Sequence, residues 1–248
     1  MKSLPDYYSG LGPFAEQFGQ GLPSLCYHKI EEAPRGARIK GLYLPADLFA
    51  GQIYELRNAG FYFALPGLPA NSGTHRQISI TFDDGFVSNW ESAMPLMKKQ
   101  GCRAINFLVA DRLGKSSDWE STEGGEARPL MDEGQIREWL SAGNWIGAHT
   151  CTHPRLSQIS LAQAKEEIVG SKKKLEDRFG IPIEHFAYPY GDYTSAVRDL
   201  VGEAGFGTAS TMHRGVNTAG TNRYELKRWT ARYPTRTLRN ILGILFRR

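Results

Sequence analysis

Two short segments carry the residue types from which a hydrolytic centre is built. Thr81-Phe82-Asp83-Asp84-Gly85 sets two adjacent carboxylates behind a run of β-formers (Ile78, Ile80, Phe82). His149-Thr150-Cys151-Thr152-His153-Pro154 sets two histidines four apart behind another (Trp145, Ile146). One carboxylate and two imidazoles make a complete set of three protein ligands for a catalytic zinc, with the fourth position left to water. The other carboxylate is then free to act as a base on that water. Alone, Asp-Asp-Gly reads equally as a turn or helix cap, and the histidine pair as a cap before proline. Two segments that each end a strand and together supply a metal site and a base point instead to a metal-dependent hydrolase.

The elements that position these residues follow from the hydrophobic pattern. Strand patterns cover 22–28, 78–82, 103–109, 145–148, 185–188, 206–211 and 226–231. Helical patterns cover 45–58, with apolar Leu48, Phe49, Ile53 and Leu56, then 89–99, 132–142, 161–179, 194–204 and 235–248. Such alternation predicts a parallel sheet with crossover helices, and about seven units suffice to close an imperfect barrel. Functional groups of such barrels lie where strands end and loops begin. Asp83, Asp84, His149, Tyr190 and the region of His213 all fall there. The polar stretch 114–128 reads as a long loop near the same rim, and Trp119 within it is the best sugar-stacking candidate.

The chain has 248 residues, 41% of them hydrophobic, enough for one full α/β core. No apolar run approaches a bilayer span, and residues 1–23 hold Asp6, Glu16 and several glycines rather than a signal peptide, so a cytoplasmic location is expected. Three cysteines, Cys26, Cys102 and Cys151, are odd in number and lack CxxC spacing, which favours free thiols. The net charge of +4 is mildly basic and gives no support for nucleic-acid binding. In the last helical pattern Leu238, Ile241, Leu242 and Leu245 form an apolar face flanked by Arg236, Arg239, Arg247 and Arg248. That pattern suits peripheral contact with an anionic membrane, but a helix closing the barrel is the stronger expectation.

The two segments, with Phe186-Ala187-Tyr188-Pro189-Tyr190-Gly191 and the opening Leu25-Cys26-Tyr27-His28, resemble the motifs of the polysaccharide deacetylases, carbohydrate esterase family four with its nodulation-type deacetylase domain. The form Ala-Tyr-Pro-Tyr-Gly is similar to poly-N-acetylglucosamine deacetylases. The resemblance implies a single-domain α/β fold, a distorted (β/α)7 barrel over residues 23–248 preceded by an extension over 1–22. It implies a divalent metal, most plausibly zinc, on Asp84, His149 and His153. It implies Asp83 as general base and an N-acetylated amino-sugar glycan or glycoconjugate as substrate. The backbone N–H of Tyr190 would face the developing oxyanion, where such a donor is worth on the order of 3 kcal/mol.

Two departures from the family pattern matter. The third motif usually opens with an arginine that orients the base, and Ala187 stands there; Arg228 is expected to supply the missing cation. The late motif that carries the general-acid histidine is absent, leaving His213 and His28 as substitutes that the sequence does not rank. These gaps sustain two other readings, a glycan-binding protein that has lost turnover and a hydrolase of a non-sugar amide. The second is weakened by the retained histidines.

Overall fold

Strand β1 (Leu22–Tyr27) is buried along its whole length and forms the spine of the sheet. A computed structural model of the chain describes residues 4–67, 76–122 and 124–232. Parallel neighbours follow on one side of β1: β3 (Gln77–Phe82), β4 (Ile105–Leu108), β5 (Trp145–Ala148), β6 (His185–Ala187) and β7 (Thr208–Ser210). A two-residue strand, β2 (Tyr62–Phe63), extends β3 at its start. On the other edge of β1, β8 (Val216–Asn217) pairs antiparallel with Leu22 and Pro23, and β9 (Trp229–Thr230) pairs parallel with Leu25 and Cys26.

The ring is completed just before β9. Leu226 bridges Ser210 in parallel, its N–H donating to Ala209 O at 2.9 Å and its carbonyl accepting from Thr211 N at 2.8 Å. The segment from Leu226 to Thr230 therefore joins β7 to β1, and the sheet curls into the distorted (β/α)7 barrel expected of the sequence. The strand pattern over 226–231 is used twice, at one end against β7 and at the other against β1.

Helices α2 (Ala46–Asn58), α3 (Met94–Gln100), α5 (Glu133–Ser141), α6 (Leu161–Phe179) and α7 (Ser195–Glu203) are the crossovers. Their ends are written locally. Helices α5 and α6 begin with reciprocal capping boxes, Asp132 with Gln135 and Ser160 with Gln163, and α6 ends on Gly180 at φ 69°. The pattern over 89–99 predicts one regular helix, but its first turn, Asn89–Ala93, is a wide π turn. Pro95 sits in the first turn of α3 and has no N–H to donate back, so the regular ladder starts only at Met94. The stretch 114–128, expected as a loop, contains a short helix, α4 (Asp118–Thr122).

Aromatic rings fill the layer between sheet and helices. Tyr27 meets Phe49 at 5.1 Å and Phe82 meets Trp139 at 5.7 Å, both edge-on. Residues ahead of the barrel share this core. Tyr8 bridges Ala231, and Phe14 and Phe18, the latter on α1 (Ala15–Phe18), are fully buried, Phe14 lying 5.0 Å from Trp229. All three cysteines are buried free thiols. No helix among the described residues is long and apolar enough to cross a membrane, and the helix expected over 235–248 lies outside the described residues.

The Phe14 contacts generate a stability prediction. Phe14→Ala removes a fully buried ring packed on Tyr8, Phe18 and Trp229, and should cost about 3–5 kcal/mol in urea unfolding. An unchanged midpoint would mean that residues 8–18 lie outside the cooperative unit.

Candidate active site

Asp83 and Asp84 point to different partners because the chain turns between them. Strand β3 ends at Phe82, and Asp83 N still donates to Tyr27 O at 3.0 Å. Asp84 then adopts φ 75° and Gly85 φ 86°, two left-handed residues in succession. At Gly85 a Cβ would lie 2.9 Å from Leu108 Cδ2, so glycine meets both the torsion and the space. Glycine adopts this torsion without strain, and Asp84, which does not, shares the turn.

The four non-glycine residues with positive φ among the described residues are Asp84, Thr150, His153 and Tyr190. All four sit in the segments that follow β3, β5 and β6. For a β-branched residue such as Thr150 the conformation is a true outlier, and each such residue costs of order 1–3 kcal/mol. Backbone strain is concentrated where the chemistry-bearing side chains are.

Asp84, His149 and His153 are all buried and bring one donor atom each within 4.8 Å of one another. Asp84 Oδ1 lies 3.4 Å from His149 Nε2 and 3.2 Å from His153 Nε2. His149 Nδ1 is 2.7 Å from the Ala187 carbonyl, which can only accept, so the neutral ring carries its proton there. Nε2 then presents a lone pair toward Asp84, and no described residue donates to Asp84 Oδ1 in hydrogen-bonding geometry. Two imidazole nitrogens and one orphaned carboxylate oxygen converging in a buried place fit a divalent cation, and the outer hydrogen bond to Ala187 is the kind that orients a histidine ligand.

Asp83 faces the other way, into Arg228. Nη1 meets Oδ1 at 2.7 Å and Nη2 meets Oδ2 at 2.8 Å, a bidentate pair between two buried residues. The remaining donors of Arg228 go to Thr211 O, Thr81 Oγ1 and Met212 Sδ. Burial pushes the Asp83 carboxyl up, but the Arg228 charge, then His149, and the Arg228 hydrogen bonds outweigh it and bring it to about 2. The carboxylate is thus ionised at neutral pH. Ala187 is fully buried against Ile105 and Phe107, and the cation reaches Asp83 from the closing segment instead.

His28 and His213 separate clearly. His28 lines the cleft, with a ring nitrogen within 4.8 Å of Cys26 Sγ and an Asp83 carboxylate oxygen. That trio is not a second cation site, because the Arg228 guanidinium already neutralises Asp83. Burial lowers the His28 pKa, with Asp84 and Asp83 opposing. His213 is exposed, its ring 5.9 Å from Tyr193, and it does not join the cleft. Its carbonyl is tied to Arg228 N, and its neighbour Met212 takes the inward place.

The cleft holds about 420 Å³, and Trp119, Glu120, Arg155, Tyr190, Met212 and Arg232 complete its walls. Trp119 stacks on His153 at 4.5 Å and 24°, Tyr190 meets the same ring edge-on at 4.7 Å, and Arg155 lies 3.8 Å over Tyr190. Helix α4, which carries Trp119, is pinned by a buried ion pair, Glu120 Oε1 with Lys29 Nζ at 2.5 Å, while Glu120 Oε2 accepts from Ser117 Oγ at 2.7 Å. Lys29, Glu120 and Met212 carry no motif by which sequence reasoning could have found them.

A curled parallel barrel with this cluster at the carboxyl ends of its strands has the architecture of a hydrolase. The chain belongs to the polysaccharide deacetylase family, hydrolases of amide C–N bonds, whose model matches residues 70–209. It is similar to the Bacillus subtilis protein YxkH, 24% identical over 84% of this chain and 70% of that one. It is also similar to the peptidoglycan-N-acetylglucosamine deacetylase PgdA of Listeria monocytogenes, 24% identical over 73% of this chain, which spans only 32% of that enzyme. Among solved structures, the Streptococcus pyogenes deacetylase PplD in complex with acetate superposes with a TM-score of 0.72 at 25% identity, covering 90% of this chain and 97% of that one.

The buried pair carries a prediction with a pH sign. Arg228→Met leaves Asp83 buried without its cation and should cost about 3–5 kcal/mol at pH 7. A depressed carboxyl confers stability above its ordinary pKa and loses it as pH falls through the folded value. Urea unfolding should therefore show the gap between parent and variant open at pH 7 and narrowing as the pH falls toward about 2, because burial without the cation raises the carboxyl in the variant and the pair lowers it in the parent. A gap independent of pH would show that packing, not charge, is what Arg228 supplies.

Proposed function

We propose that this protein removes the N-acetyl group from an amino-sugar residue of a glycan or glycoconjugate, with a divalent metal, zinc in the first instance, held by Asp84, His149 and His153. The observation that carries the reading is the division of labour between two adjacent carboxylates, Asp83 locked on Arg228 and Asp84 turned into the histidine pair. The named substrate of the Listeria relative, peptidoglycan N-acetylglucosamine, supports an N-acetylated sugar.

When bound, zinc supplies Lewis acidity, making water a nucleophile near neutral pH and polarising a carbonyl. Asp83 accepts the proton of the attacking water; Arg228 keeps it ionised and fixes the direction of its free lone pairs. The backbone N–H of Tyr190 serves as a donor to the oxygen that gains charge. His28, the imidazole that lines the cleft beside Asp83, passes a proton to the leaving amine. Trp119, stacked on His153, offers a ring face to the sugar.

Elemental analysis of the zinc-reconstituted chain should find about one zinc per chain, lost in Asp84→Ala and His149→Ala. Asp83→Asn should keep its zinc and release acetate from N-acetylglucosamine oligomers about 10²–10⁴-fold more slowly than the parent. His28→Gln should also slow turnover with zinc retained, while His213→Gln should match the parent. Glycan retention with no acetate release from the zinc-loaded parent would overturn the reading in favour of a binding protein.

A further inference from the structure

The loop between the two histidines is clasped from outside the barrel by one side chain. Thr150 and Cys151 carbonyls accept from Ala110 and Asp111 N–H groups, both at 3.0 Å, and His153 N donates to Thr150 Oγ1 at 3.0 Å. The two peptide N–H groups at the apex point the other way and converge on one atom. Cys151 N and Thr152 N donate to Glu167 Oε2 at 2.8 and 2.9 Å, and Thr152 Oγ1 donates to Glu167 Oε1 at 2.6 Å.

Glu167 stands on α6, the 19-residue helix with a complete capping box, so the anchor is rigid. The same helix face continues toward the loop. Gly170 lies close enough that a Cβ there would sit 3.0 Å from Cys151 Sγ, and Lys174 Nζ lies 3.6 Å from that sulfur. Positions 167, 170 and 174 share one face at helical spacing. A loop with two left-handed residues, Thr150 and His153, has lower-energy conformations open to it unless its surroundings fix it. The Glu167 carboxylate is what fixes the apex.

We infer that Glu167 is a positioning residue that sets metal affinity by holding the His149–His153 loop in the conformation that converges both imidazoles on Asp84. The inference rests on the reading of Asp84, His149 and His153 as metal ligands. Glu166, exposed and one residue earlier, carries the same charge without the clasp.

The test is zinc affinity, measured by competition with a colorimetric chelator, for the parent, Glu167→Ala, Glu167→Gln and Glu166→Ala. Thermal melting and far-ultraviolet dichroism of each metal-free protein establish folding. Glu167→Ala should bind zinc about 10–100-fold more weakly while folded, and Glu166→Ala should match the parent. Glu167→Gln retains an acceptor oxygen for the two N–H groups and should recover most of the affinity. Amide exchange over residues 149–153 of the metal-free chain should quicken in Glu167→Ala alone. Parent-like affinity in Glu167→Ala overturns the inference, as does equal weakening in Glu166→Ala or no recovery in Glu167→Gln. A parent chain that binds no zinc overturns the ligand reading itself, an outcome distinct from the others. Should Glu167→Ala fail to fold, Glu167→Gln and Thr152→Val, which removes only the hydroxyl bond, carry the comparison.

Discussion

A carboxylate buried in a barrel mouth must be neutralised or paired, and Asp83 is paired. Moving such an ion out of water costs several kcal/mol even after relaxation, and a single hydrogen bond does not recover it. Arg228 does so by spending two donors on Asp83 and placing the rest on Thr211 O, Thr81 Oγ1 and Met212 Sδ. Arg228 also lies in the segment that joins β7 to β1. Closing the barrel and pairing the Asp83 carboxylate are therefore one structural event. A slip of that segment by one residue would turn Arg228 to the opposite face of the strand and strand the carboxylate.

The same dependence on surrounding elements holds for Asp84 and the histidine pair. Three strand ends each give one or more left-handed residues, and each strained turn aims a side chain inward while its peptide groups bond to neighbouring elements. The loop after β5 is held by the chain after β4 through Ala110 and Asp111, and by α6 through Glu167. The turn after β6 needs glycine at position 191, where a Cβ would lie 2.7 Å from Met212 Cβ. The conformations that aim these side chains are unfavourable alone and are fixed by the barrel around them.

Much of this was legible because it is local. Helix α6 runs over Leu161–Phe179 as its pattern predicts, since Ser160, Gln163 and Gly180 write both of its ends into the sequence. The DDG turn and the histidine pair are likewise local, a strand pattern ended by residues that tolerate a sharp turn. What was illegible is non-local. No pattern in residues 8–18 announces that Tyr8, Phe14 and Phe18 pack on one another, or that Phe14 meets Trp229, more than two hundred positions away in the chain. Helix α4 is too short to show a period, and the pairing of Glu120 with Lys29 that pins it spans the barrel mouth. His28 and His213 could not be ranked because both follow strand patterns. Only the outward turn after Thr211, with Met212 facing in, distinguishes them.

Ala187 shows how one substitution in a motif reorganises its surroundings. Ala187, at the end of β6, packs against Ile105 and Phe107 and brings no charge to Asp83. With alanine there, the strand packs closely and only its carbonyl is used, to orient His149 at 2.7 Å. The positive charge enters from the opposite side, on the closing segment, with its guanidinium 5.7 Å from the Phe107 ring. Asp83 and His149 are thereby oriented by two different parts of the barrel, Asp83 by the closing segment and His149 by β6. The His149 contact is made by a backbone carbonyl and does not depend on the Arg228 side chain.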